Sequence, residues 1–332
     1  MSSSSGSVPP PSSPASSSAA AGGSSPPSSQ LGFLRSVLGL WSAASPVPDD
    51  PVQYERALID AVLRNQPQRL MSLLVARPDC YHDDDALLAT HGGRSRLTLL
   101  HMACSAGAAE SVAVLLKRAS AGASGTPASA PPAACINAVE RSGSTPLHFA
   151  ARNGHKACVV LLLAAGADVH RATNEGFTAL HWVASNGRLD LVRLLVEAQA
   201  GQAQGHPSLD ATLDNNGYTA LHMACQNGHV DVVRYLVHER GMSVHAPDKQ
   251  QRTPLFFACR YGQTECARCL IAAGATVTTD AKGDTPLHWA VAGAYKDCTV
   301  LLVRSFPHLM ARMPNVAVSL AIEEASLLKV MK

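Results

Sequence analysis

An all-α solenoid of stacked helix-turn-helix units is the architecture this chain predicts, and three observations carry it. A four-residue phrase opening on Thr recurs at Thr98, Thr145, Thr178, Thr219, Thr253 and Thr285, at intervals of 47, 33, 41, 34 and 32 residues. Such a repeat marks units that bury their apolar faces against one another. A glycine then follows each of the first five phrases at one fixed distance: Gly107, Gly154, Gly187, Gly228 and Gly262. There a helix would end in the left-handed region that Gly enters freely. Beyond the glycines come apolar runs at helical spacing: Val159, Leu161, Leu162 and Leu163; Leu191, Leu194 and Leu195; Val232, Val233 and Leu236; Leu270 and Ile271.

The residues of the phrase have physical reasons. Pro146, Pro254 and Pro286 suit a first helical turn, where the missing donor costs nothing. The Thr before each can cap free amides, and Ala150, Ala151, Ala184 and Ala224 let paired helices approach. Copies of Thr-Pro-Leu-His or a near variant, at a period close to 33, resemble the ankyrin repeat, a turn or "finger" followed by two short antiparallel helices. The resemblance implies that His148, His181, His222 and His288 tie neighbouring loops together by hydrogen bonds. They fall in different repeats rather than i and i+4 on one helix, so they are read neither as zinc ligands nor as catalytic bases.

Taken in order, residues 1–30 are almost wholly Ser, Pro, Ala and Gly and predict a disordered tail. Its Ser-rich, acid-free start also has a faint likeness to an organelle transit peptide, but such segments are usually richer in Arg, and the disordered tail is the favoured reading. Residues 31–41 carry Leu31, Leu34, Leu38 and Trp41 at helical spacing. This amphipathic helix either lies back against the array, the favoured reading, or serves docking or self-association across the linker at 42–51. The array itself is expected over 52–313. It opens with a cap at 52–78, where Tyr54, Leu58, Ile59, Val62 and Leu63, then Leu70, Leu73, Leu74 and Val75 after Pro67, make two apolar faces. Repeats begin near 94, 141, 174, 214, 248 and 280. The stretches Ala119–Ala134 and Ala198–Pro207 lengthen connections without disturbing the stack. His82, Asp83, Asp84, Asp85 and His91 read as a solvated acidic loop, and Cys266 with Cys269 as a packing pair in a helix. In the last copy Ala294 stands where the terminal glycine is expected, with Gly293 one earlier, which predicts a shifted or strained helix end. Residues 314–332 predict a closing cap helix.

Composition excludes several function classes. With 46% hydrophobic and 16% charged residues and a net charge of +2, the chain can bury a large core but offers no strong basic field for nucleic acid. No apolar run is long enough for a membrane span. Nine cysteines scattered through helical positions suit a reducing compartment, hence the cytoplasm, or the nucleus, rather than secretion. Phosphate-binding, zinc-protease, nucleophile-elbow and dinucleotide motifs do not occur, so no catalytic residue, metal or cofactor is expected. A non-catalytic protein-protein interaction module is the leading reading.

By the ankyrin resemblance, positions flanking the finger glycine and those just before the helix-ending glycine point to a concave binding face. Here those are Arg152 and Asn153; Asn174, Glu175, Phe177, Ser185 and Asn186; Asn215, Asn216, Tyr218, Gln226 and Asn227; Lys249, Gln250, Arg252, Arg260 and Tyr261; and Lys282 and Asp284. Phe177, Tyr218 and Tyr261 are the expected anchors, because aromatic rings dominate protein hot spots. The alternative is that they only cover neighbouring fingers. Lys249, Arg252 and Arg260 are expected to add a basic edge for an acidic partner.

A narrower resemblance rests on Asn174–Arg188, Gly217–His229, Thr253–Gly274 and the tract from Asp280 through Phe306-Pro307-His308-Leu309. These are similar in order and wording to the amino-terminal array of the ankyrin-repeat HECT-type E3 ubiquitin ligases. That family implies an array selecting substrate proteins, with a small Rho-family (Rac-type) GTPase as the class, and a separate HECT domain carrying the catalytic Cys. No segment here matches that domain, so none of the nine cysteines is given its role.

Overall fold

The computed structural model describes residues 47–48, 50–76, 97–121, 133–202 and 212–312. The tail at 1–30, the helix at 31–41, most of the linker, the loop around Asp83–Asp85, the middle of the first insertion, residues 203–207 of the second and the helix at 314–332 lie outside the described residues.

The first described helices are α1 (Pro51–Leu63) and α2 (Pro67–Ala76). Asp50 caps α1 by accepting the Val52 amide at 3.3 Å, and Pro51 sits in the first turn. Leu58, Val62, Leu70 and Leu74 are buried between and beneath them, and the Tyr54 hydroxyl donates to the Leu73 carbonyl at 2.6 Å. Asn65, in the left-handed region at φ 51°, turns the chain between them, and its Oδ1 accepts from the Ser111 amide of the next unit at 3.0 Å.

Inner and outer helices then alternate: α3 (Leu99–Ala106) and α4 (Ala109–Ala121), a short α5 (Ala133–Ile136), α6 (Pro146–Asn153) and α7 (Lys156–Ala164), and α8 (Ala179–Ser185) and α9 (Leu189–Gln202). Next come α10 (Ala220–Asn227) and α11 (Val230–Arg234), which continues as a π turn over Tyr235–Glu239. Then follow α12 (Pro254–Arg260) with α13 (Thr264–Ala272) and α14 (Pro286–Ala292) with α15 (Lys296–Ser305), closed by a 3-10 turn at Pro307–Arg312. Inner helices pack on inner, outer on outer, and each inner helix on its own outer helix, giving two layers. The core is a set of columns: Leu147, Leu180, Leu221, Leu255 and Leu287 from the phrase, facing Leu162, Leu195, Leu236, Leu270 and Leu302. Burying one such side chain contributes roughly 1.5–3 kcal/mol. Ala150, Ala184, Ala224, Ala258 and Ala290 form a fully buried column that allows the close approach.

No β-strand occurs among the described residues, and the fingers meet edge to edge through single backbone bonds. The amides of Asn174, Asn215, Lys249 and Ala281 donate to the carbonyls of Ser142, Glu175, Asn216 and Gln250 at 2.8–2.9 Å. At the opposite ends of the inner helices, Gly228 occupies φ 78°, and a Cβ there would overlap the Gln263 side-chain amide of the next repeat. Gly228→Val is expected to destabilise the array by about 1–3 kcal/mol, from backbone strain together with that clash. Equal denaturant midpoints for variant and parent would contradict this. In the last repeat Ala294 takes φ 55° where the other copies have glycine, so the strained end expected from the sequence is present.

Candidate functional site

The finger side of the molecule is built by a hydrogen-bond relay that each phrase encodes. In α3, α6, α8 and α10 the imidazole Nδ1 accepts the backbone amide of its own Thr, as in Thr145 to His148 at 3.0 Å. Nε2 reaches a finger carbonyl of the next repeat: His101 to Ser144 at 3.0 Å, His148 to Phe177 at 3.1 Å, His181 to Tyr218 at 3.0 Å and His222 to Arg252 at 3.2 Å. A carbonyl only accepts, so Nε2 carries the proton and the ring is neutral. Burial holds these imidazoles to that form, pushing His101, His148 and His222 down to about 4 and lowering His181 as well. In the fifth repeat a fully buried Phe256 replaces the histidine, and Thr253 Oγ1 is left buried without a partner among the described residues.

The residues named from the sequence separate into groups. Asn174, Glu175, Asn215, Asn216, Lys249, Gln250 and Lys282 are exposed at the finger tips. Asp284 is half-buried at a finger base, its amide donating to Asp280 Oδ1 at 2.9 Å. At the far ends of the inner helices Arg152, Asn186, Asn227 and Tyr261 are exposed, while Asn153, Ser185, Gln226 and Arg260 are half-buried. The asparagine amides are in part structural. Asn153, Asn174, Asn215 and Asn227 each donate from Nδ2 to a carbonyl of the preceding repeat, at 2.8–3.0 Å.

Arg252 is a correction. It was expected on a basic edge open to a partner, but it is buried and its guanidinium is bound to buried Asp248, Nε and Nη2 lying 2.8 and 2.7 Å from Oδ2. Nη2 also donates to the Tyr218 hydroxyl at 2.7 Å, and the Arg252 plane lies 5.0 Å from the Phe257 ring centre. Asp248 Oδ1 accepts the amides of Gln250 and Arg252, so one carboxylate organises the whole finger. Tyr218 is accordingly a half-buried finger residue packed 5.0 Å from Phe257, with burial raising its phenol pKa. Phe177 is half-buried too, 5.3 Å from Trp182.

The sequence reading missed a ring column. The residue four after each Thr is Met102, Phe149, Trp182, Met223, Phe257 or Trp289, and the signal was there once the copies were put in register. On this column Arg152 lies over Trp182 at 4.8 Å and Arg260 over Trp289 at 4.3 Å, each arginine stacking on the ring of the following repeat. Tyr295 was also missed. It stands against Gly262 and next to Arg260 and Tyr261 in the register of the repeats.

Charge pairing differs between the two sides. On the outer helices Lys156 pairs with Asp190, Arg193 with Glu239, Arg234 with Asp231 and Arg268 with Glu265. Arg141, Lys249 and Lys282 on the fingers and Arg152 and Arg260 at the far ends of the inner helices form no ion pair among the described residues, whereas finger residue Arg252 is paired with Asp248. No group of His, Cys, Asp and Glu suited to a metal ion occurs among the described residues.

Geometry of this kind defines a repeat solenoid that presents one continuous face of fingers and inner helices. The family model for ankyrin repeats matches the chain in three copies, over residues 58–173, 166–248 and 241–311, and the chain belongs to the ankyrin-repeat family. Relatives include mouse (Mus musculus) ankyrin repeat and SOCS box protein 16, 42% identical over 65 residues. Mouse ankyrin repeat domain-containing protein 63 is 34% identical over 76 residues. These matches take in 20% and 23% of this chain, and only 14% and 20% of the length of the relatives. As an ankyrin-repeat array the chain is a protein-protein interaction module, and no described helix is long and apolar enough to cross a membrane.

Proposed function

We propose that the chain binds a protein partner on the concave face formed by its fingers and inner helices, without catalysing a reaction itself. The observation that carries this is the ring column with Arg152 and Arg260 stacked on it, because tryptophan, tyrosine and arginine in contact make up the usual composition of a binding hot spot. The cysteines favour a non-catalytic role. Burial raises the Cys104, Cys225 and Cys259 thiols well above their ordinary range and pushes Cys158 up to about 11 and Cys266 up to about 12, far from the thiolate a transfer reaction needs. Thiols of this kind suit a cytoplasmic setting.

A second reading follows from the wording of Asn174–Arg188, Gly217–His229, Thr253–Gly274 and Asp280–Leu309. It makes the array the substrate-selecting part of a HECT-type ubiquitin ligase, with a Rac-type GTPase as the partner class. Both readings use the same face. With the full chain as bait and a purified Rac-type GTPase or a partner identified by mass spectrometry as ligand, Arg152→Ala and Arg260→Ala are expected each to weaken binding by roughly 1–3 kcal/mol. Arg234→Ala, on the outer helices, serves as the control. Unchanged affinity in both inner-face variants, with unchanged melting, would place the interface elsewhere. Tyr218→Ala is not a clean test, since it also removes a partner of Arg252.

A further inference from the structure

We infer that the last two finger repeats form a docking site for an acidic, extended protein segment bearing an aromatic or large apolar residue; this rests on the concave-face reading above. The charge distribution gives the first reason. Lys249 and Lys282 are exposed on adjacent finger tips, and Arg260 stands at the far end of α12, all three without a carboxylate partner among the described residues. Lys156, Arg193, Arg234 and Arg268 on the outer helices are, in contrast, paired within the molecule with Asp190, Glu239, Asp231 and Glu265. A partner that supplies carboxylates to this end would gain contacts that the chain does not make for itself, and the attraction would speed its arrival.

Exposed rings give the second. Among the large hydrophobic residues exposed on the described surface the aromatic ones are Tyr261 and Tyr295, 40% and 37% exposed, and both belong to this end of the array. Arg260 lies between their repeats, its guanidinium 5.7 Å from the Tyr261 ring and 4.3 Å from that of Trp289. Seated over an indole and without an ion pair among the described residues, it is placed to receive a carboxylate. The equivalent pair in the earlier repeats, Arg152 on Trp182, is likewise without an ion pair among the described residues but has no exposed tyrosine beside it. Phe177 packs on Trp182, where the last repeat has half-buried Asp284 in the same register.

The dimensions set the shape of the segment. A helix as long as α12 rises about 10 Å from its finger to its end, which an extended chain spans in roughly three residues. Carboxylates meeting Lys249 and Lys282 would therefore stand a few residues from the one meeting Arg260, with the apolar side chain beyond it against Tyr261 and Tyr295.

The test uses the full chain and a fluorescein-labelled peptide of Glu and Asp flanking one Phe-Leu pair, followed by fluorescence anisotropy. Saturable binding that weakens with added salt is expected, together with about a tenfold loss in Arg260→Ala and in Tyr261→Ala. Lys282→Glu should also weaken it, and as a fully surface change it carries no folding risk. Arg234→Ala, on an outer helix, should bind as the parent does, and a peptide with Lys in place of the acids should not bind. Failure of the acidic peptide to bind, or equal binding by the three variants, would overturn the inference. If the loss appeared in Arg152→Ala instead, the concave face would stand as the binding surface and only this assignment to the last repeats would fall.

Discussion

Asp248→Ala is expected to destabilise the array by about 3–5 kcal/mol, the usual consequence of leaving a buried guanidinium without its counter-ion. Asp248 and Arg252 are both buried, and the carboxylate takes two bonds from the guanidinium and two from finger amides. Comparison among fingers isolates the charge. Asp214 and Asp280 accept the same two amides, but the residues four positions on are Tyr218 and Asp284, so neither carries a buried cation. Asp214→Ala should thus cost clearly less, on the order of 1–3 kcal/mol for two backbone donors left unmet. Replacing Arg252 by Met within Asp248→Ala should recover part of the loss, since the uncompensated charge is then gone. Urea melts of the four proteins decide the matter: equal losses for Asp248→Ala and Asp214→Ala would mean that the ion pair adds nothing.

Acid should weaken the stack well before its carboxylates protonate. His101, His148 and His222 have folded pKa values near 4 against an ordinary 6.5, chiefly because burial disfavours the charged ring. The second nitrogen, Nδ1, accepts a Thr amide, so an added proton there would also break that bond and set two donors against each other. Since the native pKa lies below the unfolded one, the unfolded chain takes up protons first as pH falls. The stabilisation is complete above about pH 6.5, declines from there to about pH 4, and is gone below it. Each histidine contributes on the order of 1–3 kcal/mol over that window. Denaturant melts at intervals between about pH 7 and pH 5 should show the unfolding free energy falling, with a shallower slope in His148→Gln. A flat profile in the parent, or an identical slope in the variant, would refute the neutral-relay account.

Much of this protein was legible in its residues because the features concerned are local. Thr-Pro-Leu-His opens a helix through a cap and a preset φ, a glycine closes it, and leucine spacing selects the face that packs. Even the departure at Ala294 could be read, as one residue out of place against its copies. The roles of individual finger residues could not be read this way. Lys249 and Arg252 are both basic and three positions apart, yet one is exposed and the other buried on Asp248 beneath Tyr218 and Phe257. Arg152 and Arg260 acquire their stacking partners from the following repeats, in Trp182 and Trp289. Which side chains face solvent and which hold the stack depends on neighbours some thirty residues away, and only packing one repeat on the next brings those neighbours within reach.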